Sequence, residues 1–320
     1  MEFDKSKKIL VIGRAGMDIY PEPPGTKITD VKDFSTHLGG SAANTCVALS
    51  KLGVSSDLVT CISDDAIGEY ILNKLKEFKV GSRFCRKVDK VFQTQLAVVE
   101  TILKNNQSIL YRNNSCDLQL NKDDIDQIDF QDYSAVFISG TALSSEPSRE
   151  AVFYASQKAS ISNIPLIIDL DYRPYNWESD QMKSEIYKKI MSEMDIIIGN
   201  DLEFNIADNS SDGFHLTKNF IEKKPSIIIY KMGEKGSKVF TKEKEFEFGI
   251  FKVDAIKPTG AGDAFNGGFI SSLYKGMSLD ESVKRGSANA ALVVTKVGCS
   301  SAMPNSEELE KFINQQKMEN

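Results

Sequence analysis

Between Ala135 and Tyr230 the chain repeats one arrangement. A short, almost unbroken apolar run is followed by a longer segment with apolar residues at helical spacing. Residues 135–138, 165–170, 195–198 and 226–230 read as strands, and residues 147–160 and 181–194 as helices. A strand that is apolar at every position has both faces buried, whereas a strand with one wet face alternates. Buried strands separated by amphipathic helices predict an α/β fold with a mostly parallel central sheet and helices on both faces. Ile9-Leu10-Val11-Ile12 and residues 58–62 extend the pattern toward the N-terminus, with helices expected near 41–52 and 65–78. The 320 residues suit one large α/β domain, and a single domain over 1–320 is expected.

Two segments fall outside that pattern. Residues 21–36 are irregular and carry Pro21, Pro23 and Pro24. Leu96-Ala97-Val98-Val99 and Ile109-Leu110-Tyr111, separated by Lys104-Asn105-Asn106-Gln107, read as a hairpin. Paired in space, residues 14–38 and 92–113 would form a small β-sheet lid.

The chemistry is most legible at Pro258-Thr259-Gly260-Ala261-Gly262-Asp263-Ala264-Phe265. Phe265, Phe269, Ile270 and Leu273 recur at helical spacing up to Gly276, so Gly260, Ala261 and Gly262 form a small-residue turn opening a helix. N–H groups at a helix start lack partners and carry the positive end of the helix dipole, which makes the turn an anion site. Asp263 can be read as an ordinary first-turn carboxylate. Beside a phosphate it needs a task, and the task that fits is taking the proton from a hydroxyl that attacks a phosphoryl group. The adjacent Gly267 and Gly268 inside the same helix imply close backbone packing.

Further polar groups gather at strand ends, where open α/β sheets bind ligands. Asp18 follows the first strand and reads either as a solvated loop acid or as a ligand contact. Gly39 and Gly40 permit close approach of a backbone. Ser41 suits an N-cap, and Asn44 lies in the first turn of the helix that follows. Arg173 follows two carboxylates at the end of the strand at 165–170. Asn200 and Glu203 read as a helix-capping pair. Lys231, Gly233 and Gly236 lie in a turn between strands, and Arg112 closes the hairpin as an edge charge or a substrate contact.

The run from Pro258 to Phe269 resembles the C-terminal signature of the ribokinase-type (PfkB) sugar kinases. Gly39-Gly40 with Asn44 resembles the family's N-terminal signature, and Asn200 with Glu203 a third motif, all in family order between Ile9 and Pro304. The resemblance implies a ribokinase-like fold and an ATP-dependent carbohydrate kinase. It implies that Asp263 is the general base and that Gly260, Ala261 and Gly262 form the anion hole. Asp18, Gly39, Gly40 and Asn44 would hold the sugar. Asn200 and Glu203 would organise Mg2+ through water. Lys231, Gly233, Gly236 and Gly262 would lie around the nucleotide phosphates, and Asn289 would lie on the adenine side.

Gly13-Arg14-Ala15, Ser139-Gly140-Thr141-Ala142-Leu143 and Asp171-Tyr172-Arg173-Pro174-Tyr175 are similar to the branch acting on 5-dehydro-2-deoxy-D-gluconate, a deoxy keto-sugar acid of inositol breakdown. Arg112 and Arg173 would then neutralise the carboxylate. A 2-keto-3-deoxygluconate kinase or a fructokinase-like ketose kinase is the alternative. A sugar- or nucleotide-binding regulator on the same fold would be expected to lack the acid of the anion turn, and Asp263 is present. Two positions depart from the family pattern. Lys257-Pro258 replaces an Asp-Thr pair that in many relatives helps hold a potassium ion, which suggests that the Lys257 ammonium takes the ion's place. Asp171 stands where relatives often have Asn.

Composition narrows the partners. A net charge of −6 with dispersed lysines argues against a nucleic-acid surface. No apolar run reaches membrane-spanning length, and Met1-Glu2-Phe3-Asp4-Lys5 is too charged for a signal peptide. The 5 cysteines are scattered and unpaired in spacing, as in a cytoplasmic protein, and 2 distant histidines make a zinc site a poor reading. The expected partners are a small sugar acid and ATP, with a homodimer formed through the lid edge.

Overall fold

The computed structural model describes residues 2–319. The chain opens with β1 (Lys8–Ile12) and then leaves the main sheet for β2 (Gly16–Glu22) and β3 (Asp33–Gly39). Helix α1 (Ser41–Lys51), β4 (Ser56–Ser63), α2 (Ala66–Glu77) and β5 (Gly81–Val88) follow, before the hairpin β6 (Gln95–Val99) and β7 (Ser108–Tyr111). A regular alternation then begins. It runs through α3 (Lys122–Asp126), β8 (Tyr133–Ser139), α4 (Ser148–Ile161), β9 (Leu166–Asp169), α5 (Asp180–Met191) and β10 (Ile196–Asn200). Next come α6 (Asp201–Asp208), α7 (Phe214–Ile221), β11 (Ile227–Lys231), β12 (Ser237–Phe240) and β13 (Glu245–Phe248). Helices α8 (Ala261–Tyr274), α9 (Leu279–Val293) and α10 (Ser306–Gln315) complete the chain.

The main sheet has 9 strands in the order β13-β12-β11-β10-β9-β8-β1-β4-β5. Every neighbouring pair from β11 through to β5 is parallel, and β12 and β13 add an antiparallel edge. Period-two alternation splits the apolar strands between two cores. Leu10, Ile12, Val136, Ile138, Leu166 and Ile168 pack under α4, α5 and α6. Ile9, Val11, Ala135, Phe137, Ile167 and Ile198 pack under α1, α2, α8 and α9. The sheet is thus covered on both faces, as the unbroken apolar strands require.

A second sheet of 4 strands has the order β3-β2-β6-β7. It comprises the two segments that the sequence sets apart. Asp18, Tyr20, Ala97 and Val99 share its inner face, where Tyr20, Ala97 and Val99 pack with Val297.

Several local expectations change. Gly40, at φ +91°, caps α1, and Ser41 makes no cap bond, because its Oγ is hydrogen-bonded to Ser139 Oγ at 2.9 Å. The sequence reads as a long helix over residues 278–297, but α9 ends at Val293, where a β-branched run begins, and the freed Val294 carbonyl accepts the Ile256 N–H at 2.8 Å. Strand β5 is not evident in the sequence because it is a half-exposed edge strand rich in Arg and Lys. Gly267 and Gly268 do mark close packing: a Cβ at Gly267 would overlap Ala48 of α1, and one at Gly268 would lie 2.8 Å from Arg285 O of α9. Among the described residues, no helix is long and apolar enough to cross a membrane.

Candidate active site

The polar clusters that follow β1, β8, β9, β10 and β11 all lie at the carboxyl ends of parallel strands, and the start of α8 faces them. Gly260, at φ +87°, is the N-cap of α8, and its Cα packs so closely on Cys299 and Val293 that a Cβ would lie 2.7 Å from Cys299 Sγ. The N–H groups of Gly260, Gly262 and Asp263 find no acceptor among the described residues. The Ala261 N–H reaches Pro258 O at 3.4 Å, so it is less free than its neighbours to meet a ligand. A Cβ at Gly262 would lie 3.5 Å from Lys231 Nζ and 3.9 Å from Asp169 Oδ2, which sets Lys231 directly beside the turn.

Asp263, in the first turn of α8, is partly open to the cleft, and its Oδ2 accepts a hydrogen bond from Asn44 Nδ2 at 2.9 Å. Burial pushes its carboxyl up to about 7; Asp171 and Asp169 add to the rise, while the Asn44 bond and Arg14 oppose it. A carboxyl poised near neutrality is suited to accept a proton at physiological pH.

Asp18 lies on the inner face of the small sheet, where burial pushes it up to about 6 against the pull of Arg14. Its only side-chain partner among the described residues is the Tyr20 hydroxyl, which donates to it at 3.4 Å. Gly39, paired with Gly16 on the neighbouring strand, lies diagonally across from it, and a Cβ there would overlap the Asp18 carboxylate. At Gly40 a Cβ would lie 2.6 Å from Arg14 O. The two glycines therefore let β3 and α1 close onto the loop after β1.

A third group occupies the ends of β9, β10 and β11. Asp169 Oδ2 accepts from Asn266 Nδ2 at 2.5 Å and lies 3.5 Å from Lys231 Nζ, while its buried Oδ1 has no partner among the described residues. Burial alone would lower the Lys231 pKa, but Asp169, Glu203, Asp171 and Asp263 together raise it. Asn200 and Glu203 form a reciprocal capping box on α6: Asn200 Oδ1 accepts the Glu203 N–H at 2.9 Å, and Glu203 Oε2 accepts the Asn200 N–H at 2.8 Å. Glu203 Oε1 also accepts the Tyr172 N–H, at 3.2 Å. Burial, with Asp169 adding to it, pushes Glu203 up to about 7.

Asp171 adopts φ +37°, a conformation that Asp and Asn tolerate better than other side chains. Its oxygens hold Arg173 Nη2 at 2.9 Å and Ser139 Oγ at 2.8 Å. Burial works to raise it, yet Arg173 and Arg14 hold it below the usual carboxylate range.

Arg173 keeps 40% of its side chain exposed beside the carboxylates. Arg112 differs from both sequence readings of it as a free charge. It is buried, its Nη2 is bonded to Asp117 Oδ2 at 2.5 Å and to Thr141 O at 3.0 Å, and its charge is already matched. Asn289 stands apart from the cleft: it is fully enclosed between α8 and α9, and its Nδ2 donates to Ala264 O at 2.6 Å. Gly233 faces open space on the turn after β11, whereas Gly236, at φ +81°, packs against the β13 backbone. Lys257 is wholly buried, and its ammonium donates to Thr259 O at 2.6 Å and Val293 O at 3.3 Å.

Three site groups escape sequence reasoning. Asp169 reads there only as part of a polar run, and Gln95, whose Oε1 accepts from Arg14 Nη1 at 2.5 Å, gives no signal. Asn266 could have been found, since it lies three residues after Asp263 on the same helical face.

The acids near the anion turn offer hard oxygens: Asp169 Oδ2 would lie 3.9 Å from a Cβ at Gly262, and its buried Oδ1 has no partner among the described residues, a set that suits Mg2+ with most of its waters retained. Both Glu203 oxygens and Asn200 Oδ1 are engaged by backbone N–H groups, so their contact to a metal would run through water.

The chain is similar to known proteins over nearly its whole length. The chain is 36% identical over 319 residues to the 5-dehydro-2-deoxygluconokinase of Photobacterium profundum, covering 98% of this chain and 96% of that protein. It is 34% identical over 328 residues to the 5-dehydro-2-deoxygluconokinase of Clostridium perfringens, covering 100% and 97%. Among solved structures, a fructokinase double mutant from Vibrio cholerae O395, bound to fructose, ADP and potassium ion, superposes with a TM-score of 0.85 at 22% identity, covering 97% of this chain and 99% of that one. That likeness establishes the ribokinase-like fold. The family profile described as pfkB family carbohydrate kinase matches residues 6–306, and the chain belongs to that family.

Proposed function

We propose that this carbohydrate kinase transfers the γ-phosphoryl group of ATP to a primary hydroxyl of 5-dehydro-2-deoxygluconate or a closely similar deoxy keto-sugar acid. The observation that carries the reading is the pairing of an open helix N-terminus at Gly260–Gly262 with the near-neutral carboxyl of Asp263. The names of the relatives support the substrate.

Asp18, Asn44 and the backbone at Gly39 and Gly40 orient the sugar so that its hydroxyl faces Asp263. Asp263 takes the hydroxyl proton as the sugar oxygen bonds to the γ-phosphorus and the bond to the bridging oxygen of ADP breaks. N–H groups of Gly260, Gly262 and Asp263 take up charge on the transferring group, with Lys231 as a point charge beside them. Asn200, Glu203 and Asp169 would hold hydrated Mg2+, which when bound neutralises phosphate charge. Arg173, the more open of the two arginines expected to face the substrate, lies nearer to solvent than Arg112.

The Lys257 ammonium, clamped by two carbonyls beside the anion turn, stands in for a monovalent cation. Five free cysteines suit a reducing compartment, and the cytoplasm is the proposed location. A homodimer through the small sheet is favoured by one further feature. Ile19, Val98 and Ile109 lie side by side on its outer face, flanked by Phe34 at 47% and Tyr111 at 60% exposure. A Tyr111→Lys variant should shift the sedimentation coefficient from dimer to monomer; an unchanged wild-type monomer removes the dimer.

The test of function is an ATP-consumption screen across sugar acids and neutral ketoses. A preference for 5-dehydro-2-deoxygluconate supports the assignment, and a preference for fructose or ribose overturns the acid substrate.

A further inference from the structure

Three guanidinium groups surround the sugar end of the cleft, and two of them are paired. Arg112 holds Asp117 at 2.5 Å, and Arg173 holds Asp171 at 2.9 Å. Arg14 is 7% exposed and has no ion-pair partner among the described residues. Among the described residues, its one side-chain hydrogen bond runs from Nη1 to the neutral Oε1 of Gln95, at 2.5 Å, and its buried Nε has no acceptor. Gln95 is 1% exposed, and its Nε2 likewise donates to nothing among the described residues. Two adjoining side chains therefore present buried donors without acceptors, one of them charged. Burying an unpaired charge is costly, and a folded protein retains one where something else completes it.

The acids that feel Arg14 do not supply that completion. Asp171 is taken by Arg173 and Ser139, and Asp263 by Asn44. Asp18 is held at 3.4 Å by Tyr20. Yet Arg14 acts on all three, drawing the Asp18, Asp171 and Asp263 carboxyls down, so it lies among the groups that would hold the sugar and the group that would deprotonate it. Its backbone is fixed beneath α1, where Arg14 O accepts the Ala43 N–H at 3.3 Å. Gln95 is fixed on β6 opposite Gly16, where a larger residue would collide with its amide.

We propose that Arg14, steadied by Gln95, is the counter-ion of the substrate carboxylate and the residue that selects a sugar acid over a neutral ketose. A planar guanidinium matches a carboxylate through paired N–H donors, and the Gln95 amide adds a third donor from the side. This rests on the sugar-acid reading above and transfers its carboxylate contact from Arg112, whose charge is spent on Asp117.

The test compares kcat/KM for 5-dehydro-2-deoxygluconate and for fructose in the wild type, Arg14→Met, Arg14→Lys and Gln95→Glu. In Arg14→Met the acid-to-fructose ratio should fall about a hundredfold, mainly through KM for the acid. Arg14→Lys should recover part of it. Gln95→Glu supplies an internal carboxylate to the guanidinium, so it should lose the same preference while melting at a higher temperature. Thermal melts of Arg14→Met should match or exceed the wild type, since an unpaired charge is removed. An unchanged ratio in Arg14→Met, with the wild type favouring the acid, overturns the role of Arg14 alone. An equal loss on the acid, on fructose and in KM for ATP overturns it in favour of a contact to the phosphoryl group. A wild type without preference for the acid overturns the substrate assignment and this role together.

Discussion

Asn44 Nδ2 donates to Asp263 Oδ2 across 2.9 Å, joining the first turns of two helices whose residues are 219 apart in sequence. The bond stabilises the ionised carboxylate against the burial that raises it. Asn44 Oδ1 has no donor among the described residues, so under the proposed mechanism it would accept from a sugar hydroxyl while Nδ2 holds Asp263. One amide can thus orient both partners of the proton transfer.

Removing that amide should raise the Asp263 pKa. In Asn44→Ala, the acidic limb of the kcat/KM–pH profile, which reports the free enzyme, should move upward from near 7 by about one unit. KM for the sugar should rise as well. A profile with its acidic limb unmoved would mean that the titrating group is not Asp263.

Asp263→Asn retains the shape of the side chain but cannot accept the proton. Turnover should drop by roughly 10²–10⁴-fold, the usual contribution of a general base. Isothermal titration should still register both sugar and nucleotide. Near-normal turnover would take Asp263 out of the role.

The same substitution should alter stability in a pH-dependent way. The folded-state pKa of Asp263 is raised above its ordinary value of 3.8 to about 7. Below about pH 4 the carboxyl is neutral in both states and costs nothing extra. As pH rises toward 7, the unfolded chain ionises first, so folding becomes progressively less favourable, and the penalty levels off above pH 7. Asp263→Asn should therefore be more stable than the wild type by roughly 1–2 kcal/mol at pH 8, since function-related strain is removed. The gain should vanish near pH 4. Urea titrations at the two pH values measure it, and a gain of equal size at both would assign it to packing instead of charge.

The sequence discloses those parts of this molecule that are local. Strands such as Ile196–Asn200 are visible because they are apolar throughout, and the Asn200–Glu203 box because its two partners are three residues apart. The Gly260–Asp263 turn is visible for the same reason. What stays hidden is fixed by partners far along the chain. Ser41 has the chemistry of a cap, but Ser139, 98 residues away, takes its hydroxyl. Arg112 resembles a free edge charge until a tight turn brings Asp117 back onto it. Asn289 resembles a cleft residue until α9 packs against α8 and encloses it. Gln95 has no local signature at all, and only the pairing of β6 with β2 sets it against Arg14.

Lys257 offers a prediction about ions. Its Nζ donates to Thr259 O, on the approach to the anion turn, and to Val293 O, at the end of α9. Burial lowers its pKa, while Cys299, Asp18 and Asp263 oppose the fall. A buried ammonium hydrogen-bonded to backbone carbonyls beside the Gly260–Asp263 turn would do the electrostatic work of a bound monovalent ion, with the difference that it is tethered. Turnover of the wild type should thus be the same in K+ and in a choline buffer. Lys257→Ala should lose about tenfold or more in kcat, the scale of one charge-assisted contact, and should regain part of it in K+ or ammonium. Circular-dichroism melts identify any variant lost to misfolding, and Lys257→Met, which retains the packing volume without the charge, should show the same kcat loss but no rescue. A wild type that requires K+ would show that the ammonium does not occupy the ion's position.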